Sequence, residues 1–153
     1  MKAISEQLLE TISTHAKALQ ELDDTSASLQ PAPGKWSRKE ELGHLIDSAQ
    51  NNLRRFIVSQ YEHEPHIIYN QDEWVRVNNY NALPVLQLAR FWLLLNHQIA
   101  HVLENISDAD AQVKCNTGKG KNELHTLEWL AEDYLRHLRH HLHHILDLEP
   151  VAY

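Results

Sequence analysis

TLEWLAEDYLRHLRHHLHHI, residues 126–145, carries an apolar residue every three or four positions: Leu127, Leu130, Ala131, Tyr134, Leu138, Leu142 and Ile145. That spacing lays one stripe along a 3.6-residue helix and is incompatible with a strand, whose faces alternate every two residues. Thr126 stands where an N-cap belongs, and Pro150 follows the stripe closely enough to stop the helix. The same stretch holds five of the chain's twelve histidines: His137, His140, His141, His143 and His144. His137 and His141 are four residues apart, so they share a face with Cβ atoms about 6 Å apart. Two imidazoles so placed can share one divalent ion through bonds of about 2.0–2.1 Å. Surface histidines produce the same spacing, and both His140 with His144 and His97 with His101 repeat it. On the helical wheel His137 and His141 flank the apolar stripe, with Asp133 and His144 on that edge, whereas His140 and His143 point to solvent.

Working outward, three more helices are predicted. The first carries Ile4, Leu8, Ile12, Ala16, Leu19 and Leu22, and Pro31, Pro33 and Gly34 form a linker that cannot continue it. The second opens at Ser37, with Glu40 completing a capping box and Trp36 placed as a hydrophobic staple. Its stripe is Leu42, Leu45, Ile46, Ala49, Leu53, Phe56 and Ile57, ending near Tyr61 before Pro65. From Glu62 to Ala82 the period is lost, and a loop of that length inside a small domain is usually functional. The third helix takes Pro84 into its first turn and runs to about Ile106. It is apolar over most of its circumference, so it is expected to be the most buried. Residues 107–125, with Gly118 and Gly120, read as a loop, and no β-alternation appears. These elements predict one all-α domain over residues 1–153, a four-helix bundle with a long crossover loop between its second and third helices.

Composition narrows the function. The chain has 153 residues, 42% hydrophobic and 23% charged, a globular balance. Its 14 Lys and Arg against 21 Asp and Glu give a formal charge of -7, which disfavours nucleic acid and anionic membrane surfaces as partners. The longest apolar run, Phe91–Leu95, is far short of a membrane span. The opening residues MKAISEQLLETISTHAKALQ contain no apolar leader core, and the single cysteine, Cys115, excludes an internal disulfide. A cytoplasmic location is therefore expected. Cys115 sits in a Gly- and Lys-containing loop with no activating partner visible, so no protein nucleophile is expected.

Three segments resemble a known family. Trp36-Ser37-Arg38-Lys39-Glu40-Glu41-Leu42-Gly43-His44-Leu45-Ile46-Asp47-Ser48 resembles the W-S-x-x-E-x-x-x-H-L-x-D-S signature of DinB-like (YfiT-like) four-helix metalloproteins. Tyr69-Asn70-Gln71-Asp72-Glu73-Trp74 resembles their Y-D-x-x-x-W loop, and His137 to Ile145 their H-x-x-H-H-x-x-H/Q-I run. (The DNA polymerase that shares the DinB name is unrelated.) The resemblance implies a four-helix bundle with a divalent-metal site ligated by His44, His137 and His141. Some members are thiol-dependent transferases, some are described as metal-dependent hydrolases, and many have no assigned reaction.

From its neighbours alone, His44 falls on the polar side of the second helix beside Asp47, Ser48 and Asn51, and reads as solvent-facing. If it is a ligand, the site lies off the main core and needs a roof, for which the 62–82 loop is the candidate, with Tyr69 and Trp74 as apolar cover. Asp47 and Asp133 either orient a ligand imidazole or stand exposed. His144 is a hydrogen-bond donor behind the ligands, a proton shuttle or a fourth ligand. Three imidazoles leave an open coordination position for Lewis-acid chemistry, with zinc or nickel as the expected ion. Their affinity should fall below about pH 6.5, where ordinary histidines protonate. The expected activity is that of a metal-dependent enzyme, a hydrolase or a thiol S-transferase using a low-molecular-weight thiol, acting on a small-molecule substrate. The alternative is a non-catalytic metal-binding or stress-associated protein. A homodimer is expected, and in the non-catalytic alternative the apolar girth of the third helix and Trp129 suit its two-fold contact.

Overall fold

The computed structural model describes residues 1–149. Four long helices make the bundle: α1 (Lys2–Gln20), α2 (Arg38–Val58), α4 (Val85–Asn105) and α6 (Leu127–Ile145). Two short helices, α3 (Gln71–Asn78) and α5 (Asp108–Ala111), and a hairpin of β1 (Lys114–Asn116) and β2 (Leu124–Thr126) fill the connections. Pro150, expected to lie just past the last helix, is outside the described residues. No helix among the described residues is long and apolar enough to cross a membrane.

The start signals operate as the sequence predicts. The Ser37 hydroxyl accepts from the Glu40 backbone N–H while the Glu40 carboxylate accepts from the Ser37 N–H, a complete capping box that opens α2. The Thr126 hydroxyl accepts from the Trp129 N–H and opens α6. Pro84 is the N-cap of α4 rather than part of its first turn.

α1 packs on α4 and α6, and α2 packs on α4 and α6. Asp24 fixes the direction of two of them. Its carboxylate accepts from Lys39 Nζ at the start of α2 (2.9 Å) and from the Val85 N–H at the start of α4 (2.7 Å). Both N-termini therefore lie at one end, α2 and α4 run parallel, and the 59–84 connection must cross the length of the bundle. α1 runs antiparallel to α4, since Ser5 near its start donates to the Ala100 carbonyl near the end of α4 (2.7 Å). Arg38 at the start of α2 meets Asp147 just past α6, so these two helices are also antiparallel. That arrangement sets the middle of α6 beside the first turns of α2.

Three expectations need correction. The 62–82 segment is not free of regular structure. Asn70 caps α3 by accepting from the Glu73 N–H, acidic Asp72 and Glu73 lie in its first turn, and Asn79 closes it in the left-handed conformation at φ 49°. Eight residues are too few to establish a helical period in the sequence. Nor is the 107–125 segment simply a loop: Cys115 pairs with His125 across β1–β2, and the parallel bridge His66↔Asn116 ties the crossing connection to this hairpin. Three-residue strands do not complete two alternations. Finally, α2 rather than α4 is the most buried helix. α2 buries 12 of its 21 residues, polar ones included, whereas α4 buries 9 of 21 and leaves Phe91 and Leu94 exposed.

Candidate metal centre

His44 is 1% exposed although it lies off the apolar stripe of α2. Gly43, Asp47, Ser48, Asn51 and Asn52 around it are also buried. The helical wheel separates polar from apolar side chains correctly, but it does not say which polar side is covered. Here α6 and the crossing connection cover it. On α6, His137 and His141 lie at the edge of the stripe, and the antiparallel packing turns them toward α2. The Nε2 atoms of His44 and His137 are 3.0 Å apart. Ring centroids are separated by 5.0 Å for His44–His137, 4.9 Å for His44–His141 and 4.6 Å for His137–His141. One ring nitrogen from each of the three falls within 4.8 Å of the others.

Burial decides the charge of two of the three rings. His44 is pushed down to about 4, chiefly by burial and then by the neighbouring His141. His137 is pushed down to about 3, again by burial first and by His141, His44 and His140 after it. Both rings are therefore neutral near pH 7, the form in which an imidazole nitrogen can ligate a Lewis acid. Proton competition at these two rings begins well below the 6.5 that an ordinary histidine would give. The Nδ1 atoms of His44 and His141 are buried and have no hydrogen-bond partner among the described residues. Three imidazoles with ring nitrogens gathered within 4.8 Å of one another fit a divalent cation better than they fit an apolar core.

Aromatic and acidic side chains surround the cluster. The ring against His44 is Trp36, with centroids 4.9 Å apart. Tyr69 and Trp74 pack on each other at 5.6 Å, and Trp74 lines a separate shallow hollow with Glu73, Val77 and Asn78. The crossing connection does cover α2, but through other residues: the Tyr80 hydroxyl donates to Asp47 Oδ1 (2.5 Å) and Asn78 Nδ2 donates to the same oxygen (3.2 Å). Asp47 is thus fully buried rather than exposed, and burial pushes its carboxyl up to about 6 against the pull of Tyr80. Its hydrogen bonds go to these two residues, not to an imidazole. Asp133 accepts from Arg136 (3.1 Å).

Glu41 was missed. Its Oε1 lies 3.9 Å from His141 Nδ1 and 3.8 Å from His144 Nδ1. The available signal was its position three residues before His44, one turn away on the same face. A groove of about 810 Å³, lined by Trp36, Arg38, Glu41, Asp72, His141 and His144 among others, opens onto this edge of the cluster. His97 and His101 are exposed on α4, and Cys115 is buried, its thiol donating to the Pro65 carbonyl (3.2 Å) and pushed up by desolvation.

Comparisons with known proteins agree with this architecture. A protein of Bacillus mycoides (strain KBAB4) named "Putative metal-dependent hydrolase" is 27% identical over 135 residues, 87% of this chain and 76% of that one. The solved structure of YfiT from Bacillus subtilis, described as a probable metal-dependent hydrolase with an unusual four-helix bundle topology, superposes with a TM-score of 0.85 at 22% identity. It covers 95% of this chain and 83% of that one. The family model of the DinB superfamily matches residues 7–145, a span that holds all four bundle helices nearly complete and every histidine of the cluster, and the chain belongs to that superfamily.

Proposed function

We propose that His44, His137 and His141 hold one divalent cation, zinc or nickel, and that the chain is a metal-dependent enzyme acting on a small molecule. Hydrolysis is the first reaction to test, because the Bacillus mycoides relative carries that name. Transfer of a low-molecular-weight thiol is the second, on the strength of the family resemblance. The observation that carries the proposal is the 3.0 Å approach of the His44 and His137 Nε2 atoms inside a three-imidazole cluster in which His44 is buried and the other two rings are half-buried. Bonds of about 2.0–2.1 Å meeting at tetrahedral or octahedral angles leave adjacent ligand nitrogens roughly 2.9–3.4 Å apart. Imidazole suits zinc and nickel, and a three-histidine set leaves a position open.

A bound ion would supply Lewis acidity toward a water or a thiol. The chain does the remaining work. Trp36 packs on His44 and excludes water from that side. The groove admits a small molecule at the His141 and His144 edge. His144, with its side chain 53% exposed there, is placed to exchange a proton with a molecule in the groove.

The test is elemental analysis of protein purified without chelators, alongside His44→Ala and His141→Ala. Near-stoichiometric metal in the parent and its loss in both variants supports the site, and full retention in both refutes it. The loaded protein is then offered esters, amides, and a small thiol with an electrophilic acceptor. Turnover that disappears with the ion supports an enzyme. Tight binding without turnover on any of them leaves a non-catalytic metal-binding protein.

A further inference from the structure

We propose that Glu41, His141 and His144 form a second divalent-cation position on the groove side of the cluster. Glu41 Oε1 lies 3.9 Å from His141 Nδ1 and 3.8 Å from His144 Nδ1, and one ligand atom from each residue falls within 4.8 Å of the others. These separations exceed hydrogen-bond range, so the carboxylate is tied directly to neither ring. Closure by about half an ångström brings the carboxylate to ligand spacing from each ring, rotation of the exposed His144 side chain brings the two imidazoles together, and two imidazoles with a glutamate are a zinc donor set that keeps a position open.

Two further features point the same way. His141 Nδ1, the nitrogen turned toward Glu41, is buried and has no hydrogen-bond partner among the described residues. Glu41 also brings an oxygen donor that the three-histidine set lacks. The side chains of Glu41 and His141 are 20% and 16% exposed, and the groove beside them gives a hydrated ion a path in. Arg38 does not oppose a cation there with its full charge, because it is paired with Asp147.

The proposal rests on the three-histidine reading for the first ion, and His141 is common to both positions. An imidazole has two nitrogens, so one ring can serve two ions. The second ion then displaces the Nδ1 proton of His141 to solvent. Because its outer ligands are more exposed, the second position is the weaker one.

Zinc titrated into chelator-stripped protein by calorimetry, with bound ions counted after gel filtration, tests this. The parent chain should take up two equivalents, one tight and one weaker. Glu41→Gln and His144→Ala, checked for intact helicity, should each weaken the second step by roughly tenfold or more and keep the first. His44→Ala should lose the tight step and keep the weaker one. A single equivalent in the parent chain overturns the proposal. So does a second equivalent unchanged in both Glu41→Gln and His144→Ala, which assigns it to the outer histidines of α6. If the tight step survives His44→Ala, the three-histidine site fails, and the second position is still decided by Glu41 and His144.

Discussion

Gly43→Ala should destabilise the protein, although helix propensity alone says the opposite. In a helix interior alanine exceeds glycine by about 1 kcal/mol. Gly43 lies in the second turn of α2, next to His44. A Cβ there would sit 1.9 Å from Tyr80 Cδ2, 2.3 Å from Cγ and 2.4 Å from Cε2. The ring must retreat by about 1.5 Å to reach ordinary contact. Tyr80 is 5% exposed and its hydroxyl is fixed on Asp47 at 2.5 Å, so it has little room. Overpacking costs about 1–3 kcal/mol. Losing a hydrogen bond to a charged, buried carboxylate costs about 1.5–3 kcal/mol more. Against the propensity gain, the net loss is about 1.5–5 kcal/mol. Urea unfolding at constant m-value measures it. In a Tyr80→Ala background the same substitution should be neutral or stabilising, because the obstructing ring is gone. A Gly43→Ala protein as stable as the parent would refute the claim that Gly43 is there to let Tyr80 reach Asp47.

Acid should weaken the metal-free fold. His44 and His137 are held down to about 4 and about 3, so the folded state binds fewer protons than the unfolded one. Their contribution is complete above about pH 6.5 and is lost as pH falls toward those values. Asp47, pushed up to about 6, acts oppositely and adds stability as pH falls from 6 toward 3.8. At pH 5 the histidines cost roughly 2 kcal/mol each and Asp47 returns about 1, so the urea midpoint should drop between pH 7.5 and 5, and less so in His137→Asn. A flat profile counts against the buried neutral cluster. Tyr134→Phe should cost about 1–3 kcal/mol, because it strips the 2.5 Å hydrogen bond from buried Asn96 Oδ1 and leaves that oxygen without its donor; an unchanged melting temperature would contradict this. Zinc or nickel at a hundredfold excess over its dissociation constant should stabilise the parent by about 2.7 kcal/mol. Thermal scans with and without chelator read that shift, and His44→Ala should remove it at metal concentrations that fill only the tight site.

The four long helices were legible because each carries a stripe long enough to express its period. Ser37 with Glu40 and Thr126 mark two of their starts chemically, through side chains that satisfy backbone N–H groups. Spacing of four also placed His137 and His141 on one face of α6, since that follows from helix geometry within a single segment. The family resemblance, not periodicity, singled out His44.

What the chain order alone left open is which helix lies beside which, and in what direction. Asp24 holding the N-termini of both α2 and α4, and Arg38 meeting Asp147, are contacts between residues remote in sequence. They bring the polar side of α2 under α6 and under Asn78 and Tyr80, and so turn a face that looks solvent-exposed on a wheel into the interior of a site. Glu41 meets His141 and His144 for the same reason. Local periodicity is written into neighbouring residues, whereas the convergence of side chains about 93 positions apart depends on the packing of whole helices, which no single segment encodes.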